Sequence, residues 1–259
     1  VRVPLQDKFG QGRDGVRALN RTESWGGRIA DRPGGEDDFD TSGEYFVTPS
    51  GQLYYPIANK NSRQTFIDEN FDAVFRNGSF LQHDFSVAGG GEKASYFFSY
   101  GILEQDGIVK NADYNRQNIR LNTKVNLTDW LDVRNNVAYT FTKSNRIRGG
   151  GSITGLYIGL LRNPADFDIR GHIGTYVDGS GDVFQNRQRS YRNQIGASSN
   201  AGYNNPLWTI YEQRNETRVD RFLMTPEINI RASNWLDFTL RGGLDYYSDE
   251  RLQFLPINT

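Results

Sequence analysis

The 259-residue chain contains no cysteine. Disulfide stapling, thiolate metal ligation and a thiol nucleophile are thereby excluded. Histidine is nearly as scarce, with only His83 and His172. Neither has a His or Cys neighbour, so both are expected as wall or loop residues rather than ligands. Neither charge sign dominates: 30 Lys and Arg face 31 Asp and Glu, a net charge of −1. That balance argues against a chain that coats nucleic acid or ends in an acidic tail. No apolar run of about 18 residues occurs, so no transmembrane helix is expected. There is no Gly-x-Ser-x-Gly elbow for a serine nucleophile. Gly149-Gly150-Gly151-Ser152 is not followed by the Gly-Lys-Ser/Thr of a phosphate loop and reads as a hinge. No signal peptide opens the chain; Val1-Arg2-Val3-Pro4-Leu5 reads as mid-domain sequence, and the chain as a piece of something longer.

What is present is aromatic side chains (13%) and 28 glycines, with a mean hydropathy of −0.67. A low mean does not exclude a membrane barrel, whose wall is apolar only on alternate residues. Strict alternation runs through Gln117–Leu127. Ile119, Leu121, Thr123, Val125 and Leu127 share one face, while Arg120, Asn122, Lys124 and Asn126 share the other. After a turn at Thr128-Asp129-Trp130, Leu131, Val133, Val137, Tyr139 and Phe141 oppose Asp132, Arg134, Asn136, Thr140 and Thr142. Upstream, Phe85 and Val87 precede Gly89-Gly90-Gly91-Glu92-Lys93, read as a turn because glycine permits positive φ. Tyr96, Phe98, Tyr100 and Ile102 then line one face. Late in the chain, Phe222, Met224, Ile228 and Ile230 form a ribbon in which Pro226 predicts a bulge or a lost ladder bond. Leu236, Phe238, Leu240, Leu244 and Tyr246 form the last one, against Arg241 and its polar neighbours.

Short and long connections alternate. The turns at 89–93, 128–130 and 233–234 are short; the connections at about 10–78, 104–116 and 145–216 lie at the opposite end. Short turns at one end and long loops at the other are a property of outer-membrane β-barrels with strands of about 9–11 residues. Trp130 and Trp235 flank short turns, as an interfacial aromatic girdle would. Within the long loops, Phe66, Ile67, Asn70, Phe71, Val74 and Phe75 at helical spacing predict a helix over 64–77 stopped by Gly78. Ile153, Leu156, Tyr157, Leu160 and Leu161 predict another over 152–163, with Ser152 as N-cap.

Several of these stretches resemble the SusC/RagA family of TonB-linked outer-membrane transporters. They are Asn70-Phe71 through Phe75 with Asn77-Gly78-Ser79, Phe85-Ser86-Val87-Ala88-Gly89-Gly90, and Glu92-Lys93-Ala94-Ser95-Tyr96-Phe97-Phe98-Ser99-Tyr100. Gln105-Asp106-Gly107-Ile108-Val109, Asn118-Ile119-Arg120-Leu121-Asn122 and Leu127-Thr128-Asp129-Trp130-Leu131 continue the series. The resemblance implies an all-β chain: about seven antiparallel strands of a 22-stranded barrel, with long extracellular loops carrying short helices. Residues 1–259 would be part of the barrel domain, without the plug and N-terminal extension. It further implies active import of oligosaccharides or peptides across the bacterial outer membrane, no catalysis, a SusD-like surface lipoprotein as lid, and coupling to TonB through segments absent from this sequence. The alternatives from other classes are an extracellular all-β glycan-binding or adhesion module and a soluble β-rich hydrolase. The discriminating feature is the apolar stripe, which faces lipid in a barrel and a second sheet in a sandwich.

Candidate cargo or lid contacts are the loop aromatics Trp25, Tyr45, Tyr54, Tyr55, Tyr176, Tyr191, Tyr203 and Trp208, since flat rings stack on sugars or pack on a protein lid; self-packing of the loops is the competing role. Lumen-facing candidates are Arg120, Asn122, Lys124, Arg134, Arg231 and Arg241, which can bind anionic cargo or pair with Asp132, Glu227 and Asp237. No cofactor is expected. The acidic run Glu36, Asp37, Asp38 and Asp40 is a candidate for Ca²⁺, but fits no EF-hand spacing and reads as a solvated loop. Asp178-Gly179-Ser180-Gly181-Asp182 reads as a loop tip.

Overall fold

The computed structural model describes residues 5–150 and 153–259. Ser152, the expected N-cap, and part of the glycine hinge lie outside these residues, as do residues 1–4 of an expected first strand. In chain order the elements are β1 (Gly12–Arg13), β2 (Val16–Arg17), β3 (Asp38–Phe39), β4 (Tyr45–Val47), β5 (Leu53–Tyr54), β6 (Ile57–Asn59) and α1 (Ile67–Val74). Then follow β7 (Ser79–Gly90), β8 (Ala94–Asp106), β9 (Asp113–Thr128), β10 (Leu131–Asn145), α2 (Leu156–Leu161), β11 (Ile173–Val177) and β12 (Val183–Gln188). The chain closes with α3 (Pro206–Tyr211), β13 (Arg214–Ser233), β14 (Leu236–Arg241) and β15 (Leu244–Phe254). It divides into two compact units: a sheet unit of Asn77–Arg146 and Asn215–Gln253, and a loop unit made of the remainder.

The sheet unit is a seven-stranded antiparallel sheet in the order β14-β13-β10-β9-β8-β7, with β15 also paired to β13. Its register follows the alternation. Tyr100, Ile119 and Tyr139 lie directly opposite one another across β8, β9 and β10, with Phe222 next on β13. Phe98, Leu121, Val137 and Met224 form the neighbouring row. A slip of one residue would turn every one of these side chains to the other face. The seven strands differ from the expected seven in origin. Residues 5–9 form no strand beyond a single bridge from Phe9 to Arg28, and the count is restored because the last ribbon is split in two.

That split explains Pro226. β13 continues unbroken through it, and its register with β10 does not shift. The interruption sits instead in the partner ribbon, between β14 and β15 at Gly242-Gly243. The Pro226 carbonyl accepts from Gly242 N at 2.9 Å. On an antiparallel strand a residue's N–H and C=O point to the same side, so the donor that proline lacks is missing where the partner breaks. The glycines before the first turn also act otherwise than expected. Gly89 and Gly90 are strand residues without positive φ; the turn is Gly91–Lys93. A side chain on Gly89 would meet the Tyr96 ring at 2.9 Å, and one on Gly90 the Ala94 backbone at 2.7 Å. Close approach, with the ring lying over bare backbone, is what these positions require.

The strands are longer than a bilayer needs: 12, 13, 16, 15 and 20 residues for β7, β8, β9, β10 and β13. The chemistry of the outer face shows where the surplus lies. Going away from the short turns, the apolar rows end at Gln117, opposite Phe141, which faces Asp220; the next positions are Asn115, Lys143 and Arg218. From Leu127 to Gln117 is about ten steps of ~3.3 Å along a strand tilted by ~40°, a band about 25 Å tall. The connection expected at 104–116 accordingly shrinks to Gly107–Ala112.

The loop unit is built conventionally. A four-stranded sheet of order β12-β11-β4-β5 buries Phe46, Tyr176 and Ile195 in a cluster flanked by Tyr54 and Phe184. Asp178–Asp182 is the tip of the β11–β12 hairpin, where Asp178 Oδ1 accepts from Ser180 N and Asp182 N at 2.9 Å each. α1 buries Asn70, Phe71 and Val74 and ends at Val74, with Phe75 as its extended C-cap, short of Gly78. In α2 only Leu156, Gly159 and Leu160 are buried; Ile153, Tyr157 and Leu161 are exposed, so its apolar face is narrower than the spacing suggested. α3 is a third helix beyond the two expected from spacing. Asn205 caps it by accepting from Leu207 N, and Pro206 occupies the first turn, where its missing N–H costs nothing.

Candidate functional site

The polar face of the sheet unit carries an ion-pair network at the short-turn end. Asp132, 4% exposed, accepts from Asn229 Nδ2 at 3.0 Å and lies 3.5 Å from both Arg134 and Arg231. Glu227 joins Arg134 at 3.6 Å and Arg241 at 2.7 Å. Arg231 also donates to the Asp129 carbonyl, which ties the network to the β9–β10 turn. Arg134, Arg231 and Arg241 are therefore paired with Asp132 and Glu227; among the described residues Asp237 makes no ion pair. Register places Arg120, Asn122 and Lys124 on the same face, in line along β9. Among the described residues Arg120 and Lys124 make no ion pair.

The opposite face presents Phe85 (60% exposed), Leu121 (40%), Tyr139 (38%), Phe238 (50%) and Leu240 (60%). Tyr96 and Ile119 are exposed, and Phe98 and Val137 half-buried. Not one of these stripe residues is buried beneath a second layer, the outcome that separates a barrel wall from a sandwich. Trp130 and Trp235 are exposed beside their turns. His83 sits at the margin of this face, opposite Ile102. His172 lies in the loop unit, 3.0 Å from Glu212 and beside the Tyr211 ring.

The loop aromatics divide. Trp208, Tyr191 and Tyr176 are interior residues, 1%, 2% and 7% exposed. Trp208 Nε1 donates to Thr259 Oγ1 at 3.0 Å. Tyr176 donates to Glu44; burial first, then that carboxylate, pushes its hydroxyl up to about 12. Burial likewise raises Tyr191 to about 12, and its ring stacks on Tyr203. Trp25 is exposed against Phe9, and Tyr45 leans on Tyr55. Tyr54 has the Arg189 guanidinium 3.8 Å from its ring centre.

That contact belongs to a feature the sequence did not announce, a cleft of about 250 Å³ within the loop unit. Tyr54, Tyr55, Phe66 and Phe167 give it apolar walls, and Arg17, Lys60, Arg189, Asp37, Asp166 and Asp168 give it charge. The acidic run does not converge on one point. Asp37 binds Lys60 Nζ at 2.6 Å and Ser62 N at 2.8 Å, Asp38 accepts from Asn59, and Asp40 accepts from Ser42. Among the described residues no group of three or more His, Cys, Asp or Glu is placed to hold a metal ion. No helix among them is long and apolar enough to cross a membrane, a statement about helices that leaves crossing by strands open.

No sequence-family profile matches the chain. It is 26% identical over 192 residues to TonB-dependent receptor P39 of Formosa agariphila, an alignment covering 73% of this chain and 16% of that protein. Among solved structures it is similar to the RagAB peptide importer in its closed-closed state and to the RagAB peptide transporter. Both superpose with a TM-score of 0.50 at 19% identity, covering 69% and 68% of this chain and 18% of theirs. The chain thus spans about a sixth of the length of the relatives it matches. It is similar in sequence to a TonB-dependent receptor and folds as an antiparallel stretch of the RagAB type, an unclosed part of a barrel, in agreement with its SusC/RagA resemblance.

Proposed function

We propose that this chain is a wall segment, with its loops, of a TonB-dependent importer in the bacterial outer membrane. The observation that carries the reading is the inversion of the sheet unit: its apolar face is exposed from β7 to β14, while the Asp132–Arg134–Glu227–Arg241 ion-pair network lies on the other face. In water such a face is an aggregation hazard; in a bilayer it is the ground state. The edges point the same way. Among the described residues β7 has β8 as its one ladder partner, and an unpaired edge is not tolerated in hydrocarbon, so further strands complete the wall.

In this reading the short turns are periplasmic and the loop unit is extracellular. Arg120, Asn122 and Lys124 face the lumen beside the Arg134–Glu227–Arg241 network. Trp25, Tyr45 and Tyr55 are the candidate contacts for cargo or lid. A SusD-like lipoprotein covers the mouth, oligosaccharides or peptides are the cargo, and TonB supplies the pull. The chain catalyses no reaction; it shapes a passage and its entrance.

The test is uptake of labelled oligosaccharide and oligopeptide by cells expressing the full-length protein, with and without TonB. Import requires uptake of one of them to cease without TonB, and a lipoprotein to copurify from detergent-solubilised outer membrane. A water-soluble monomer that binds glycan without energised uptake overturns the reading.

A further inference from the structure

The loop-unit cleft is lined by three cations, Arg17, Lys60 and Arg189, and three carboxylates, Asp37, Asp166 and Asp168, but of these only Lys60 and Asp37 pair with one another. Arg189 is 4% exposed. Its Nη2 donates to the carbonyls of Asp168 and Arg170 at 2.8 and 2.9 Å, and its planar head lies between the rings of Tyr54 and Phe167, 3.8 and 4.7 Å from their centres. Its Nε has no acceptor. Arg17, half-buried on the same cleft, donates Nη1 to the Ile57 carbonyl at 3.3 Å, and its Nη2 has no acceptor. Burial lowers both guanidinium pKa values; the longer-range pull of Asp166 and Asp37 on Arg17, and the pull of Tyr54 and Asp168 on Arg189, oppose it only in part.

The carboxylates lining the cleft are already engaged. Asp37 is bound to Lys60 at 2.6 Å, Asp166 to Arg32 at 2.5 Å, and Asp168 to Arg170 at 2.7 Å. Neither Arg17 nor Arg189 has a carboxylate at ion-pair distance among the described residues. A desolvated cation with no carboxylate at ion-pair distance, carrying an unspent N–H, is an unfavourable arrangement that proteins keep where a ligand supplies the missing partner.

We infer that this cleft binds a carboxylate group borne on a ring or short chain, with Arg17 and Arg189 as its donors and the rings of Tyr54, Phe66 and Phe167 as its apolar wall. Guanidinium donors match the two oxygens of a carboxylate. The apolar wall favours an organic acid over a bare inorganic ion. The volume admits about one sugar ring or one amino-acid residue, being at the small end of ligand cavities. The same chemistry is carried by a uronate residue and by a peptide C-terminus. The inference deepens the import reading and depends on it only for where the ligand comes from.

Calorimetric titration of the full-length protein in detergent tests it with two matched pairs: a uronate disaccharide against its neutral counterpart, and a tripeptide with a free C-terminus against its C-terminal amide. At least one acid is expected to bind about tenfold or more tighter than its neutral partner, and which pair shows the difference identifies the source. Arg17→Gln is expected to erase that difference. Arg189→Gln should do the same, and its melting curve shows whether the loop unit has survived the change. Equal affinity of acid and neutral forms in both pairs overturns the site. So does a preference that persists in Arg17→Gln. TonB-dependent uptake is scored separately: uptake without acid preference removes this site and leaves import standing, whereas acid preference without energised uptake does the reverse.

Discussion

The two units of this chain obey opposite rules of burial with the same amino-acid alphabet. In the sheet unit Leu240 and Phe85 are each 60% exposed, while Asp132 is buried under two arginines. In the loop unit Trp208 and Phe46 are 1% and 0% exposed. There, buried amides serve the backbone: Asn205 Nδ2 donates to the carbonyls of Ile169 and Arg189 at 2.8 Å each, and Asn70 bonds Phe167 O and Ile169 N. The first arrangement suits a solvent that is apolar outside and aqueous inside. The second suits water outside and irregular backbone within, where every carbonyl must find a donor. Exposure of a large apolar side chain is therefore not an anomaly by itself; its meaning depends on which unit carries it.

The largest effect is expected from Trp208→Ala, which removes the biggest interior side chain of the loop unit and its bond to Thr259. Truncating a buried tryptophan costs about 3–5 kcal/mol. Limited proteolysis of the full-length protein should show cleavage within 147–214 while β7–β10 stay protected. Equal loss of protection in both units would refute their independence. Next in size is Leu121→Arg, which puts a cation on the exposed apolar face near the middle of the band. In a bilayer this is expected to cost about 2–4 kcal/mol, against nearly nothing for its neighbour Asn122→Arg on the polar face. Equilibrium unfolding in lipid vesicles measures both. Equal penalties would mean that the two faces see the same medium.

The sheet was legible in the sequence because alternation records its environment directly: each of Ile119, Leu121 and Val125 reports on its own surroundings, and register follows. The roles of Gly89 and Pro226 were not legible, because both depend on what stands opposite them, the Tyr96 ring and the Gly242-Gly243 break. Of the loop unit, α1 was readable from its spacing. The β11–β12 hairpin and β4–β5 were not, since strands of 2 to 6 residues are too short to show a period. α3 carried a readable signal in Asn205-Pro206, a cap followed by a first-turn proline. The charged cleft had none. Arg17, Asp37, Asp166 and Arg189 lie far apart along the chain, and only folding reveals that the carboxylates have cationic partners while, among the described residues, neither arginine has a carboxylate at ion-pair distance.

The smallest expected effect concerns acid, and again separates the units. Burial pushes the Asp37 carboxyl up, but hydrogen bonds from Lys60 and Ser62, with the Lys60 charge, outweigh it and hold the group below its ordinary value. A carboxyl depressed in the folded state stabilises fully above its unfolded pKa of about 3.9. That contribution is lost as pH falls from there through the lower folded value. The loop unit should therefore become more susceptible to an acid-active protease as pH falls below about 4, and Asp37→Asn should flatten that rise while lowering protection at neutral pH. If Asp37→Asn tracks the parent protein at every pH, the Asp37–Lys60 pair contributes nothing to holding β6 and its neighbours in place, and the acid response of the loops must come from elsewhere.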